Sequence, residues 1–341
     1  RLLGRARVMD TVLTGITTTG TPHIGNYVGA IRPTVLASFD TSVTSFHFLA
    51  DYHSLVKSRD PGQMACSTLE IAASWLAAGL SSECIFYRQS DVPEIMELTW
   101  ILTCMTAKGL MNRAHAYKGA VAENEATDKK DPDKGITMGL FCYPILMAAD
   151  ILMFKANKVP VGKDQIQHVE MARDIAGRFN HHYGETFVLP EAVIDENAAV
   201  LPGLDGRKMS KSYGNIIPLF AEEKVLRKLI MRIKTNSQEP GEPKDPDTSA
   251  LFSIYRAFSS DEEAESIRKL YTGGIAWGEM KQMLFEYLNE HLKEPREEYN
   301  KLIAAPDYVE KVLQRGAQKA REVSHPFMAK IRAAIGLQPL G

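Results

Sequence analysis

Short apolar runs rich in β-branched residues alternate with helical patterns at the front of this chain, and that alternation limits the folds open to it. Residues 8–14 (VMDTVLT) read as a buried strand ending at Gly15, followed by a glycine-punctuated loop over 15–25. Residues 45–50 (SFHFLA) and 84–88 (CIFYR) read as further strands, ending at Asp51 and at Gln89-Ser90. A helix is expected to open near Asn26, carrying Val28, Ile31 and Val35 inward. Another is expected over 64–78, with Pro61 where a first-turn proline is tolerated. This alternation implies an α/β fold with a parallel sheet covered on both faces. Ligands of such sheets bind beyond the carboxyl ends of the strands, where the 15–25 loop and Asp51 fall.

Beyond residue 217 strand signals vanish and amphipathic helix takes over. Val225, Leu226, Leu229, Ile230 and Ile233 form an apolar stripe, with Lys224, Arg227, Lys228 and Arg232 largely off it. The expected division is an N-terminal extension over 1–10, an α/β domain over 11–217 with an inserted helical segment, and an all-helical domain over 218–341. The segment 119–135 (GAVAENEATDKKDPDKG) reads as a mobile surface loop, because it is polar and nearly free of large apolar groups. Residues 239–247 (EPGEPKDPD) read as another loop.

Composition narrows the function classes. The 341 residues carry 40 Lys+Arg against 42 Asp+Glu, a formal net charge of −2. That argues against a general polyanion binder and leaves room for a local basic patch. At 45% hydrophobic and 24% charged residues the chain is globular, neither disordered nor collagen-like. No window nears about 18 consecutive apolar residues, and the basic start RLLGRAR lacks a signal peptide's apolar core. A soluble, cytoplasmic protein is expected. Cys66, Cys84, Cys104 and Cys142 lie far apart with no CxxC, so no structural zinc or iron–sulfur centre is expected.

Two stretches carry chemistry. In GITTTGTPHIGNY (15–27), glycines admit close backbone approach, and a helix starting there aims free N–H groups at an anion. His23 and Asn26, three apart, share one helical face. In GRKMSKSYGN (206–215), Lys208 and Lys211 alternate with serines between glycines, which suits a loop closing over phosphates. Either stretch alone also fits an ordinary turn or solvated loop.

Together, HIGN and KMSKS on an α/β scaffold resemble the signature pair of class I aminoacyl-tRNA synthetases, with Asn26 where most of that class carry a second His. A third block, YPILMAADIL (143–152) followed by VPVGKDQIQH (159–168), is similar to bacterial tryptophanyl-tRNA synthetases, and the resemblance runs from about residue 11 to 336. It implies a Rossmann-like doubly wound parallel sheet with a C-terminal helical domain. The substrates it implies are L-tryptophan, ATP with Mg²⁺, and tRNA(Trp), with no permanent cofactor and no protein-bound metal site. It also implies a homodimer whose helical domain reads the anticodon.

By the same resemblance, Lys208, Lys211, Lys118 and Asn26 are catalytic. Contacts to ATP come from Thr17, Thr18, Thr19, Gly25, Asn26, Lys208, Met209, Ser210, Lys211 and Ser212. Gly162, Lys163 and Asp164 hold the ribose, and Val200 or Leu201 flanks the adenine with Met209. Asp150 takes the indole N–H. Met147, Val159 and Val161 form walls, Tyr143 and Gln165 meet the ammonium and carboxylate, and His53 is a further pocket position. The chain departs from the family pattern at Thr17 and Leu13, where Gln and Phe are common.

The residues support that pocket physically. A buried tryptophan offers one polar group, a donor, so its site needs an apolar slot and a single acceptor. Tyr143, Met147 and Asp150 fall at i, i+4 and i+7, one helical face, and Val159 and Val161 face alike on an extended segment. Ordinary core packing would account equally for Met147 and the valines. A carboxylate in so apolar a helix needs partners. Three rival readings remain: a tyrosyl-tRNA synthetase, a tryptophan-binding paralogue without aminoacylation, and a small-molecule adenylyltransferase.

Overall fold

The computed structural model describes residues 9–18, 20–127, 130–194 and 199–341. Its sheet has five strands: β1 (Asp10–Ile16), β2 (Val43–Leu49), β3 (Ile85–Arg88), β4 (Lys158–Pro160) and β5 (Glu191–Val193). Their order is β3-β2-β1-β4-β5, and every pairing is parallel. β1 pairs with β2 from Asp10–Val43 to Ile16–Leu49, and with β4 at Val12–Lys158. The winding therefore reverses between β1 and β4. A crevice opens at such a reversal, beyond the carboxyl ends of the two strands.

The first strand begins at Asp10, later than the sequence suggests, and residues 1–8 lie outside the described ones. The helix expected over 64–78 is Pro61–Ala77, with Pro61 in its first turn and the Asp60 carboxylate accepting from Gly62 N and Gln63 N. Two expectations need correction. Residues 119–126 of the supposed loop belong to a helix, His115–Ala126. Its Ala and Glu are good helix formers, and a surface helix needs few large apolar groups. The buried Asn124 pins it by donating to the carbonyls of Pro132 and Lys134, at 2.7 and 3.0 Å. Val225 is 44% exposed and leaves the apolar stripe, whose buried members are Leu226, Ile230 and Ile233.

After residue 217 the structure is helical: Glu223–Met231, Ala250–Phe258, Asp261–Thr272, Trp277–Ile303 and Pro306–Ala334. The last helix returns to the sheet. Gly316 passes so close to β3 that a Cβ there would lie 1.6 Å from the Phe86 carbonyl oxygen. Ala317, Ala320, Phe327 and Met328 share one core with Leu13, Phe46 and Tyr87. Arg321–Glu94 (3.0 Å), Arg332–Glu97 (2.6 Å) and Arg88–Glu310 (2.6 Å) ion pairs flank that contact. No helix among the described residues is long and apolar enough to cross a membrane.

Candidate active site

The loop leaving β1 ends at a reciprocal cap. His23 Nδ1 accepts from Asn26 N at 3.2 Å, while Asn26 Oδ1 accepts from His23 N at 3.0 Å. His23 is extended, at the N-cap, so the two residues meet through this cap and not on one helical face; a π-helical turn, Tyr27–Ile31, follows. Residues beyond the lysine loop run beside it: Ile24 N donates to Ile217 O and Leu219 N to Pro22 O, both at 3.0 Å. The KMSKS segment is thereby anchored against HIGN.

Asn215 ties the lysine loop together. Buried, it accepts from Ser210 N at 2.9 Å and donates to Asp205 Oδ1 at 2.8 Å and to the Lys208 carbonyl at 3.0 Å. That hydrogen bond, with Arg207 beside it, holds Asp205 down to about 2. Met209 N donates to Leu201 O at 2.8 Å, and the Met209 Cβ would sit 3.6 Å from a Cβ on Gly25. Gly20 has φ +79°, and a Cβ there would lie 3.0 Å from Lys211 Nζ. His23 is pushed down to about 4 by burial, then by Lys211 and Lys208. It is therefore neutral at pH 7, and Nδ1 stays available as the cap's acceptor. Partial burial also lowers Lys211.

The other ATP positions divide. Ser210 and Ser212 share an Oγ–Oγ hydrogen bond of 2.8 Å on the exposed loop, beside the exposed Lys208. Thr17 is exposed, whereas Thr18 is buried with its hydroxyl 2.6 Å from Ser54 Oγ; Thr19 lies outside the described residues. Gly162, Lys163 and Asp164 are exposed at the turn leaving β4. Leu201 is buried and Val200 is 64% exposed. Lys118 borders a cleft of about 270 Å³ with Arg113, His115 and Gln167.

Nearby lies a buried polar cluster. Asp150 is fully buried on the Met138–Leu152 helix. Gln89 Nε2 donates to its Oδ1 at 2.8 Å and its Oδ2 at 2.9 Å, and His53 Nε2 donates to Oδ2 at 2.8 Å. Burial raises the Asp150 pKa, against the pull of His53 and Gln89. Gln89 cannot flip without loss, because its Oε1 accepts from Tyr52 N at 3.1 Å. The His53 ring stands edge-on to Tyr143, centroids 6.2 Å apart. Tyr143 Oη donates to His168 Nε2 at 3.1 Å, and His168 Nδ1 donates to Gln165 Oε1 at 2.7 Å, an assignment set by the amide oxygen. Burial, then His53 and His115, lowers His168, which keeps it neutral in that chain. Val159 is buried, with Met147 and Val161 packed on the same core.

The structure thus brings together Asp150, His53, Tyr143 and Gln165 in one cluster, and HIGN with the two loop lysines in another. Gln89, His168 and Asn215 were not singled out by sequence. His168 and Asn215 stand inside the quoted motifs; Gln89 carries only its place at the end of a strand.

Residues 8–293 match the family described as tRNA synthetases class I (W and Y). The chain belongs to that family. The tryptophan–tRNA ligase of Pseudomonas aeruginosa is 61% identical over 333 residues, which cover 96% of this chain and 74% of that protein. The corresponding ligase of Neisseria meningitidis is 59% identical over 330 residues, covering 96% of this chain and 98% of that protein. Among solved structures, the tryptophanyl-tRNA synthetase of Campylobacter jejuni complexed with ADP and tryptophan matches with a TM-score of 0.88 at 43% identity, covering 96% of this chain and 100% of that one. This family member keeps the Rossmann-like order, with HIGN and KMSKS in contact at its β1 end.

Proposed function

We propose that the chain is a tryptophan–tRNA ligase. It condenses L-tryptophan with ATP to tryptophanyl-adenylate and pyrophosphate, then transfers the tryptophanyl group to the 3′-terminal ribose of tRNA(Trp). Asp150 carries the choice of amino acid. A carboxylate has about four lone-pair sites. Gln89 and His53 occupy three, which leaves one on Oδ1. One remaining acceptor among Val159, Val161 and Met147 matches a side chain whose sole polar group is one N–H donor. Tyrosine would bring a hydroxyl whose oxygen also needs a donor, which the Asp150 carboxylate does not supply.

The nucleophile belongs to the substrate: a tryptophan carboxylate oxygen attacks the α-phosphorus, and the bond to the pyrophosphate oxygen breaks. Protein groups position and stabilise charge. Gln165 spends its oxygen on His168 and one Nε2 hydrogen on Asp164 Oδ2 at 3.4 Å, which leaves the other Nε2 hydrogen to meet the carboxylate. Gly25, Asn26 and the backbone at the helix start face the phosphates. Lys208 and Lys211 neutralise the charge growing on pyrophosphate, and Lys118 is assigned to the same triphosphate. Exposed Lys163 and Asp164 hold the ribose, with Met209 and Leu201 or Val200 at the adenine. Among the described residues no His/Cys/Asp/Glu group is set to hold a metal. Mg²⁺ is assigned to ATP itself, carried on phosphate oxygens and water.

The catalytic unit is assigned to residues 11–217, and the tRNA to the helices beyond, where exposed Lys224 and Lys228 on Glu223–Met231 offer cations to phosphates. A homodimer is proposed through the Pro93–Met105 helix, which exposes Met96 at 41% and Trp100 at 69%. The cytoplasm is the assigned compartment. The test is charging of tRNA with labelled tryptophan: acid-precipitable tryptophanyl-tRNA supports the assignment, and its absence with tRNA(Trp) and ATP present overturns it.

A further inference from the structure

Glu70 lies on the Pro61–Ala77 helix, outside every motif. Its Oε2 accepts from Thr21 Oγ1 at 2.8 Å, and its Oε1 from the Cys66 thiol at 3.2 Å. Thr21 directly follows Gly20, the residue on which Lys211 Nζ rests, 3.0 Å from where a Cβ would stand. Glu70 therefore grips the turn of the ATP loop that the lysine touches. Its carboxylate also favours the charged form of Lys211, opposing the burial that lowers it.

From these contacts we infer that Glu70 is a positioning residue that holds the ATP loop through Thr21 and parks Lys211 of the lysine loop beside Gly20, so that ATP must draw the ammonium away to use it. The inference rests on the proposed ATP chemistry. It assigns to one carboxylate two linked tasks: keeping the loop in shape, and setting the resting place of a cation that acts on pyrophosphate. A weak, partly solvated attraction suits that purpose, because a tight pair would withhold the lysine from the reaction.

Glu70→Gln keeps an oxygen for Thr21 and removes the charge. In tryptophan-dependent pyrophosphate exchange, KM for ATP should fall about two- to fivefold while KM for tryptophan stays put. In a Lys211→Ala background the same substitution should leave KM for ATP unmoved, since the lysine it restrains is gone. Glu70→Asp, which retains the charge, should keep KM for ATP near that of the unmodified chain. An unmoved KM in Glu70→Gln overturns the inference, as does an equal fall with and without Lys211, or a Glu70→Gln chain that does not fold. No exchange in the unmodified chain would instead defeat the proposed activity.

Discussion

Replacing Asp150 with Asn exchanges a buried carboxylate for a neutral group of the same shape. The substituted amide could keep Gln89 by accepting at its oxygen, because Gln89 is locked by its own bond from Tyr52 N at 3.1 Å. The N–H₂ of that amide would then face His53 Nε2, which now donates at 2.8 Å, so His53 must shift its proton to the other ring nitrogen. The fold survives that rearrangement. The indole N–H, however, would meet a neutral acceptor where a charged one stood. Hydrogen bonds to charged groups contribute about 1–1.5 kcal/mol more than neutral ones, which converts to roughly a 5- to 12-fold lower kcat/KM for tryptophan. Phenylalanine brings no such donor, so its slow activation should not change, and the tryptophan preference should shrink by the same factor. The assay is pyrophosphate exchange at saturating ATP with each amino acid. An unchanged kcat/KM for tryptophan, or equal losses for both amino acids, would refute Asp150 as the indole acceptor.

Lys211→Ala should lower kcat for exchange by about 10²–10³-fold with tryptophan binding intact, as expected of a contact made at developing charge; equal losses in both would contradict it. Gly316→Ala forces a methyl into the Phe86 carbonyl, 1.6 Å away, and should cost about 1–3 kcal/mol in urea unfolding; an unchanged midpoint would show that the last helix does not pack on β3. His47 is buried with both ring nitrogens lacking a hydrogen-bond partner among the described residues, and burial pushes it down to about 4. The unfolded chain takes up that proton first, near pH 6.5, so stability should fall as pH drops from about 6.5 to about 4, by about 1.4 kcal/mol per unit. His47→Leu should flatten this acid limb and raise stability at pH 7; a steeper limb would count against it.

The sheet was legible where strands are long. VMDTVLT, SFHFLA and CIFYR are short, mostly apolar runs, and β1, β2 and β3 follow them within two residues. β4 and β5 are three residues each, too short for any period to register. The placement of chemistry at strand ends followed from the parallel class itself, and the HIGN loop leaves the carboxyl end of β1. The return of Pro306–Ala334 to β3 was hidden, because an amphipathic stripe shows that a helix is buried and not which core receives it. Gly316 records that contact, but only a neighbour over two hundred residues away gives the glycine meaning. Asp150 announced itself as a carboxylate among apolar residues. Its partners Gln89 and His53, 61 and 97 positions away, became visible only through folding. Residues 119–126 of the helix His115–Ala126 read as a loop from sequence because polarity does not distinguish a solvated helix from a mobile segment, and the buried Asn124 that anchors it shows only in the fold.

Exchange of radiolabelled pyrophosphate into ATP, run with tryptophan beside tyrosine and phenylalanine at equal concentration, tests the central claim most directly. Exchange that depends on tryptophan alone is the predicted result, since one acceptor on Asp150 serves one indole N–H. Exchange driven by tyrosine would preserve the adenylate chemistry and overturn the pocket. No exchange with any of the three, from protein that still binds tryptophan, would contradict the ligase assignment itself.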